Sequence, residues 1–409
     1  MFFLLILGNC KTVDNSEEDP ETLAAMVKLI ESESNSEFGI DLFKTLVVND
    51  PSDNIFISPI SVSMALGMTM NGATGNTAYE MQNTLGFSDM TQEEINMGYK
   101  SLMRELQDAD DQVEFDIANS VWAKEPLSMK DEFETTIEEY FEAETASLDF
   151  SDPKTLDRIN AWVADHTNQR ITKIINEIKP EDVMFLINAV YFNGNWKYKF
   201  DPEDTQTSPF YLDETSTVDA EMMVQMTDVH YYIDNTVTMI DLPYGNEAYS
   251  MQLMMPTQSN YSLETFIEKH ISASNLTQWN SQLEVGECTI SIPKIKIEYK
   301  RELKQDLRSL GMNQVFDRGA ELYNLFENKD NLYASAVTHK TFLRVDEEGT
   351  EAAAVTAVTI GFFSGNSTSI PFIRFNKPYV VLIKEKSTGV IPFIGKISRP
   401  EFNEDCIKN

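Results

Sequence analysis

Asp346-Glu-Glu-Gly349-Thr350-Glu351-Ala-Ala-Ala-Val-Thr-Ala-Val-Thr-Ile360-Gly-Phe-Phe363-Ser364 is the stretch that decides how the chain is read. Gly349 tolerates backbone angles that other residues avoid, so it can serve as a pivot. From Ala352 to Ile360 there is no proline, glycine or charge, which suits a central strand. With a period of two, Thr350, Ala352, Ala354, Thr356, Val358 and Ile360 share one face, and the four nearest the pivot are small. Small side chains can enter a packed sheet without overpacking it. Glu351 falls on the opposite face, where it can stay in water. Gly361 to Ser369 then has the composition of an exposed loop. Taken alone, the stretch favours a helix or a solvated connector over a strand, because alanine is the best helix former.

Outward from this stretch, the composition sets limits. The 409 residues carry 32 basic and 66 acidic side chains, a formal charge of -34, so the surface is broadly negative. Nucleic acid and heparin-like polyanions are therefore not expected partners. Hydrophobic residues make up 42% of the chain, enough for a large core, yet no apolar run is long enough to span a bilayer. Cys10, Cys288 and Cys406 are far apart and form neither a disulfide framework nor a zinc pattern. Met1 to Leu7 is an apolar run ending at Gly8-Asn9-Cys10, like a short export signal with Cys10 as a candidate lipid anchor. An extracellular or cell-envelope location is expected. Asn260, Asn275 and Asn366 begin N-glycosylation triplets.

The spacing of apolar residues predicts one or two helices over 21–48. A strand at 54–57 runs into a helix capped by Ser58 and opened by Pro59. Helices are expected at 77–85, 92–108, 131–143, 155–175, 263–271 and 303–310. Strands are expected at 113–122 and at 183–192, the latter apolar enough for burial on both faces. Alternating strands follow at 217–226, 230–233, 237–242 and 249–255. A strand pair around Pro293 covers 288–299, and further strands cover 372–375, 379–385 and 391–398. Early helices and late strands make this an α+β chain with large mixed sheets. One domain is expected over 23–402, preceded by a signal or anchor segment at 1–22 and followed by a tail at 403–409.

Catalytic chemistry finds little support. There is no Gly-x-Ser-x-Gly elbow, phosphate loop, HExxH or CxxC, and the four histidines, His166, His230, His270 and His339, fit surface or packing roles. No enzyme, cofactor or metal site is expected.

Separated motifs carry a resemblance: Asn54-Ile-Phe-Ile-Ser-Pro-Ile-Ser61, Ile187-Asn188-Ala-Val-Tyr-Phe-Asn-Gly194-Asn-Trp196, Ile292-Pro293-Lys294, Leu310-Gly311-Met312, His339-Lys340, Glu348-Gly-Thr-Glu-Ala-Ala353 and Phe375-Asn-Lys-Pro-Tyr379. From about Glu21 to Pro400 the chain resembles the serpins, the conformationally trapping protease inhibitors. The resemblance implies a single domain of three mixed β-sheets with about nine helices around them and an exposed reactive-centre loop, here 346–374.

In similar proteins a protease cuts this loop and forms an acyl intermediate. The cut loop then enters the main sheet as a new central strand and drags the protease along. The resemblance places the hinge at Glu347, Glu348, Gly349, Thr350, Glu351, Ala352, Ala353 and Ala354, and the scissile bond at Phe363-Ser364, with Phe362 one residue away. From Glu347 to Phe363 the extended chain spans roughly 55 Å, enough to cross the domain. An aromatic residue before the bond suits the deep apolar pocket of a chymotrypsin-like serine protease, with a cysteine protease as the other class of target. Ser58, Ser61, Asn188 and His339 match a polar cluster where the sheet opens, and Trp196 and Lys294 match its top, Lys294 as partner of Glu347. A monomer is expected. The rival expectation is a non-inhibitory serpin acting as carrier, chaperone or structural protein, whose hinge would carry bulky, charged or proline residues.

Overall fold

Apolar spacing and capping place the helices of the computed structural model, which describes residues 20–35, 37–258, 262–327, 331–350 and 370–402. The described residues form ten α-helices. They are α1 (Pro20–Asn35), α2 (Glu37–Asn49), α3 (Pro59–Met70), α4 (Gly75–Leu85), α5 (Gln92–Asp108), α6 (Asp131–Phe141), α7 (Pro153–Asp165), α8 (Leu263–His270), α9 (Ala273–Ser281) and α10 (Lys304–Ser309). The first helix begins at Pro20, slightly before the expected domain start at residue 23. None of the described helices is long and apolar enough to cross a membrane.

Local chemistry explains several boundaries. The Ser58 hydroxyl accepts from Ser61 N–H at the start of α3, and Pro59 fills the first turn where no N–H is needed. Thr91 and Glu94 form a reciprocal capping box at the start of α5. The helix expected over 155–175 stops at Asp165, because Asn168 and Gln169 take left-handed angles. Asn160 Oδ1 then accepts from the N–H groups of Ile174 and Ile175, at 2.8 and 3.1 Å, tying down the non-helical chain.

The strands are β1 (Asn54–Ile57), β2 (Val113–Lys124), β3 (Glu144–Leu148), β4 (Met184–Asn195), β5 (Gln206–Tyr211), β6 (Thr217–Ile233), β7 (Val237–Pro243), β8 (Tyr249–Pro256), β9 (Glu284–Pro293), β10 (Ile295–Glu302), β11 (Thr338–Val345), β12 (Gly349–Thr350), β13 (Phe372–Arg374), β14 (Tyr379–Glu385) and β15 (Phe393–Ile397). They form two hydrogen-bonded units. One has nine strands, ordered β1-β15-β14-β8-β7-β6-β9-β13 with β5 on β6, and the other six, ordered β10-β11-β12-β4-β2-β3. The nine-stranded unit joins two of the three sheets that the resemblance implies, and the joint is β6. The spacing predicts two strands there, yet β6 is one strand of 17 residues that pairs with β5 and β9 along most of its length and with β7 at its end. For β7 and β8 the sequence predicts alternating burial, whereas both are buried throughout, on both faces.

Most of the core lies between the two sheets and the helices packed on them. A smaller cluster, with Trp122 edge-on to Trp162 at 6.0 Å, packs α7 onto the outer side of β2 and β4. As a result β4 contacts apolar side chains on both faces, although Met184, Phe185, Leu186 and Val190 remain only half-buried. The cause is a break in the six-stranded sheet: among the described residues β4 and β11 do not pair, and only the two residues of β12 stand between them.

Candidate functional site

The break begins at the expected hinge. Gly349 pairs with Asn195 and Thr350 with Gly194 on one side, while Thr350 pairs with Val345 on the other, so β12 starts a strand that continues no further among the described residues. Only glycine fits at 349, because a Cβ there would sit 2.1 Å from the carbonyl oxygen of Gly194. The Thr350 side chain is buried, with its hydroxyl 2.5 Å from that of Tyr244. Burial pushes the Tyr244 phenol well above its ordinary pKa, so it stays neutral.

Trp196 holds the other side of this seat. Its ring stacks on Tyr244 at 4.5 Å, and its Nε1–H donates to the Asp346 carbonyl at 2.9 Å. Backbone N–H groups of Trp196 and Phe200 donate to the carbonyls of Glu348 and Glu347. The hinge acids are individually engaged. Glu347 Oε2 lies 3.1 Å from Lys294 Nζ, and Glu347 Oε1 accepts from the Thr205 hydroxyl at 2.7 Å. Burial works to raise the Glu347 carboxyl, but these bonds outweigh it and hold the pKa below the ordinary value. Glu348 pairs with Lys199. Asp346 Oδ2 lies 3.0 Å from Arg344 Nε, a charge contact without an aligned hydrogen bond, and burial raises its pKa despite the cation.

Below the hinge the break continues as a cavity of about 550 Å³, lined by Ser61, Leu186, Asn188, Phe316, Leu332 and His339 among others. The expected polar cluster gathers here, although not as one closed network. Ser58 N–H donates to His339 Nε2 at 3.1 Å, which fixes that nitrogen as the unprotonated one. Burial depresses the His339 pKa to about 4. Asn188 turns its amide N–H to Asn119 Oδ1 at 2.7 Å, and its own Oδ1 is buried without a partner. Such an orphan is costly and marks a site with an unused acceptor.

Glu351, Ala352, Ala353, Ala354, Phe363, Ser364 and Cys10 lie outside the described residues, as do Asn260 and Asn366. The two ends of the expected loop do not: residues 346–350 are seated as above, and β13 pairs in parallel with β9. Asn275 lies in the first turn of α9, with its side-chain amide donating to the His270 carbonyl at 2.8 Å. Sequence reasoning missed Tyr244, Thr205 and Lys199. Each meets the hinge across a separation of more than a hundred residues, and no local pattern signals such a contact.

Comparison with known proteins agrees with this architecture. The family model described as Serpin (serine protease inhibitor) matches residues 33–400, and the chain belongs to that family. Serpin B3 of Homo sapiens is 31% identical over 391 residues, covering 90% of this chain and 99% of the relative. Leukocyte elastase inhibitor of Bos taurus is 32% identical over 381 residues, covering 90% and 99%. Among solved structures, human thyroxine-binding globulin complexed with thyroxine superposes with a TM-score of 0.83 at 30% identity, covering 92% of this chain and all of that one. Relatives thus include both a named elastase inhibitor and a thyroxine-binding globulin.

Proposed function

We propose that the chain inhibits chymotrypsin-like serine proteases as a suicide substrate, through cleavage at Phe363-Ser364 and insertion of the loop between β4 and β11. One observation carries this reading: among the described residues β4 and β11 do not pair with each other, and β12 stands between them as the first two positions of a further strand.

Register supports it further. Continuing both ladders residue by residue brings Ala352 level with Phe192 and Leu343, Ala354 with Val190 and Thr341, and Thr356 with Asn188 and His339. Alanines thus meet the crowded upper rows. The Thr356 hydroxyl would arrive at the row holding the orphaned Asn188 oxygen. Val358 and Ile360 follow at the rows of Leu186 and Met184, where the cavity is apolar. If about ten inserted residues gain ladder bonds at a net of about 1 kcal/mol each, insertion releases on the order of 10 kcal/mol.

The test is incubation with chymotrypsin at near-equal stoichiometry. A denaturant-resistant complex is expected, with the peptide beginning at Ser364 released. Cleavage without a complex would overturn inhibition. It would favour the carrier reading instead, which rests on the likeness to thyroxine-binding globulin.

A further inference from the structure

The cations that hold the hinge acids are themselves held from a third direction. Lys294 Nζ lies 4.3 Å from the centre of the Phe402 ring, and the Arg344 guanidinium lies 5.4 Å from the same ring. Both distances are within the range where an aromatic face attracts a cation. Phe402 comes from the C-terminal segment, fixed along the edge of the sheet by a 2.7 Å bond from Lys296 N–H to the Glu401 carbonyl. Lys294 meets Glu347 and Arg344 meets Asp346, so one ring touches the partners of two consecutive hinge acids.

The arrangement answers a physical difficulty. Long cationic side chains lose rotamer freedom when fixed on a partner, and two like charges side by side repel. A half-buried ring that attracts both restricts them toward the acids and screens one side from water. We infer that Phe402 is a positioning residue for the hinge: by holding Lys294 and Arg344 against Glu347 and Asp346, it keeps residues 346–350 seated at the top of the break. The C-terminal segment thereby sets how firmly the starting point of loop insertion is anchored. The seating claim stands on these contacts, while its consequence for inhibition rests on the function proposed above.

The readout is hydrogen exchange of the full-length protein at the amides of Trp196 and Phe200, whose N–H groups are protected by the hinge carbonyls. For Phe402→Ala, exchange at these two positions is expected to quicken roughly five- to thirtyfold, the size of losing two ordinary cation–π contacts. Amides of β7 and β8 serve as the internal reference for intact folding. Phe402→Tyr should restore protection, whereas Phe402→Leu, which keeps bulk but lacks the ring, should not. Unchanged exchange in Phe402→Ala, or full protection in Phe402→Leu, would overturn the inference. A parallel titration with chymotrypsin should show Phe402→Ala consuming more inhibitor per protease trapped, and the Tyr variant behaving as the parent. If the parent protein forms no complex at all, the inhibitory reading fails while the exchange comparison still decides the role of Phe402.

Discussion

Thr350→Arg tests the seat most directly. Thr350 is 3% exposed and faces the fully buried Tyr244, whose phenol stays neutral. An arginine held there would be a buried, unpaired cation, a cost of about 3–5 kcal/mol. The chain can escape that cost by withdrawing β12 from the sheet, which gives up the ladder bonds of a two-residue strand, about 2 kcal/mol at a net of ~1 kcal/mol each. Withdrawal is the cheaper outcome. Insertion, however, must pass residue 350 first, so the full penalty returns at its first step and slows it on the order of a hundredfold or more. Hydrolysis of the acyl intermediate then wins, and the inhibitor becomes a substrate. The assay is titration of chymotrypsin with denaturing electrophoresis, scoring trapped complex against cleaved protein. Glu351→Arg is the control, because the period of two puts residue 351 on the opposite face, and trapping there should change less than about twofold. Trapping by Thr350→Arg at the parent stoichiometry would refute the account of the hinge.

Phe363→Arg should transfer inhibition from chymotrypsin-like to trypsin-like proteases, since the residue before the scissile bond fills the primary pocket; intact chymotrypsin inhibition in this variant would show that the bond lies elsewhere. Thr356→Val should leave the uncut protein unchanged in thermal stability yet make the loop-cleaved form less stable by about 1–2 kcal/mol, because Asn188 Oδ1 would keep no partner; equal melting temperatures for the two cleaved proteins would count against the register. His339 gives a pH effect. Its folded pKa of about 4 lies below the ordinary 6.5, so its contribution to stability is complete above pH 6.5 and is lost as pH falls toward 4, by at most about 3 kcal/mol. Gln in its place can still accept from Ser58 N–H without titrating, so the stability difference between His339→Gln and parent should shift across that window; parallel denaturation curves from pH 7 to 4.5 would contradict a buried neutral imidazole.

Elements governed by local chemistry are legible in the sequence alone. The Ser58-Pro59 cap and the Thr91/Glu94 box fix α3 and α5 because both devices act within one turn. Where the signal is weak, elements escape notice. In β3, Glu-Thr-Ala-Ser-Leu has too few apolar residues to alternate, and in α9 only Leu276 and Trp279 are buried. Alternation also misleads: the polar residues of β7 and β8 suggest one solvated face, yet both strands are buried on both faces. At the site, the Lys294 and Glu347 pairing follows from the family resemblance. Tyr244, Thr205 and Phe402 do not, because their importance is created by three-dimensional proximity to the hinge.

These two classes of residue have different tasks, and that explains why they differ in legibility. The loop must carry its own instructions: a pivot without a Cβ at 349, small inward residues at 352 and 354, a hydroxyl at 356 and bulk only from 358 onward. Each is a property of one side chain in a strand with a period of two, so each can be seen in the sequence. The seat has the opposite requirement. It must hold residues 346–350 firmly enough to fix the register, yet leave every position below Thr350 open. Distributed contacts from the end of β4, the turn after β7, the junction of β9 and β10 and the C-terminal segment achieve this, each touching a different hinge residue or its partner. A single strong partner strand would instead close the gap between β4 and β11. On the proposed mechanism, the register that would bring Thr356 beside Asn188 is therefore set by contacts made at Gly349 and Thr350, before any inserting residue meets the sheet.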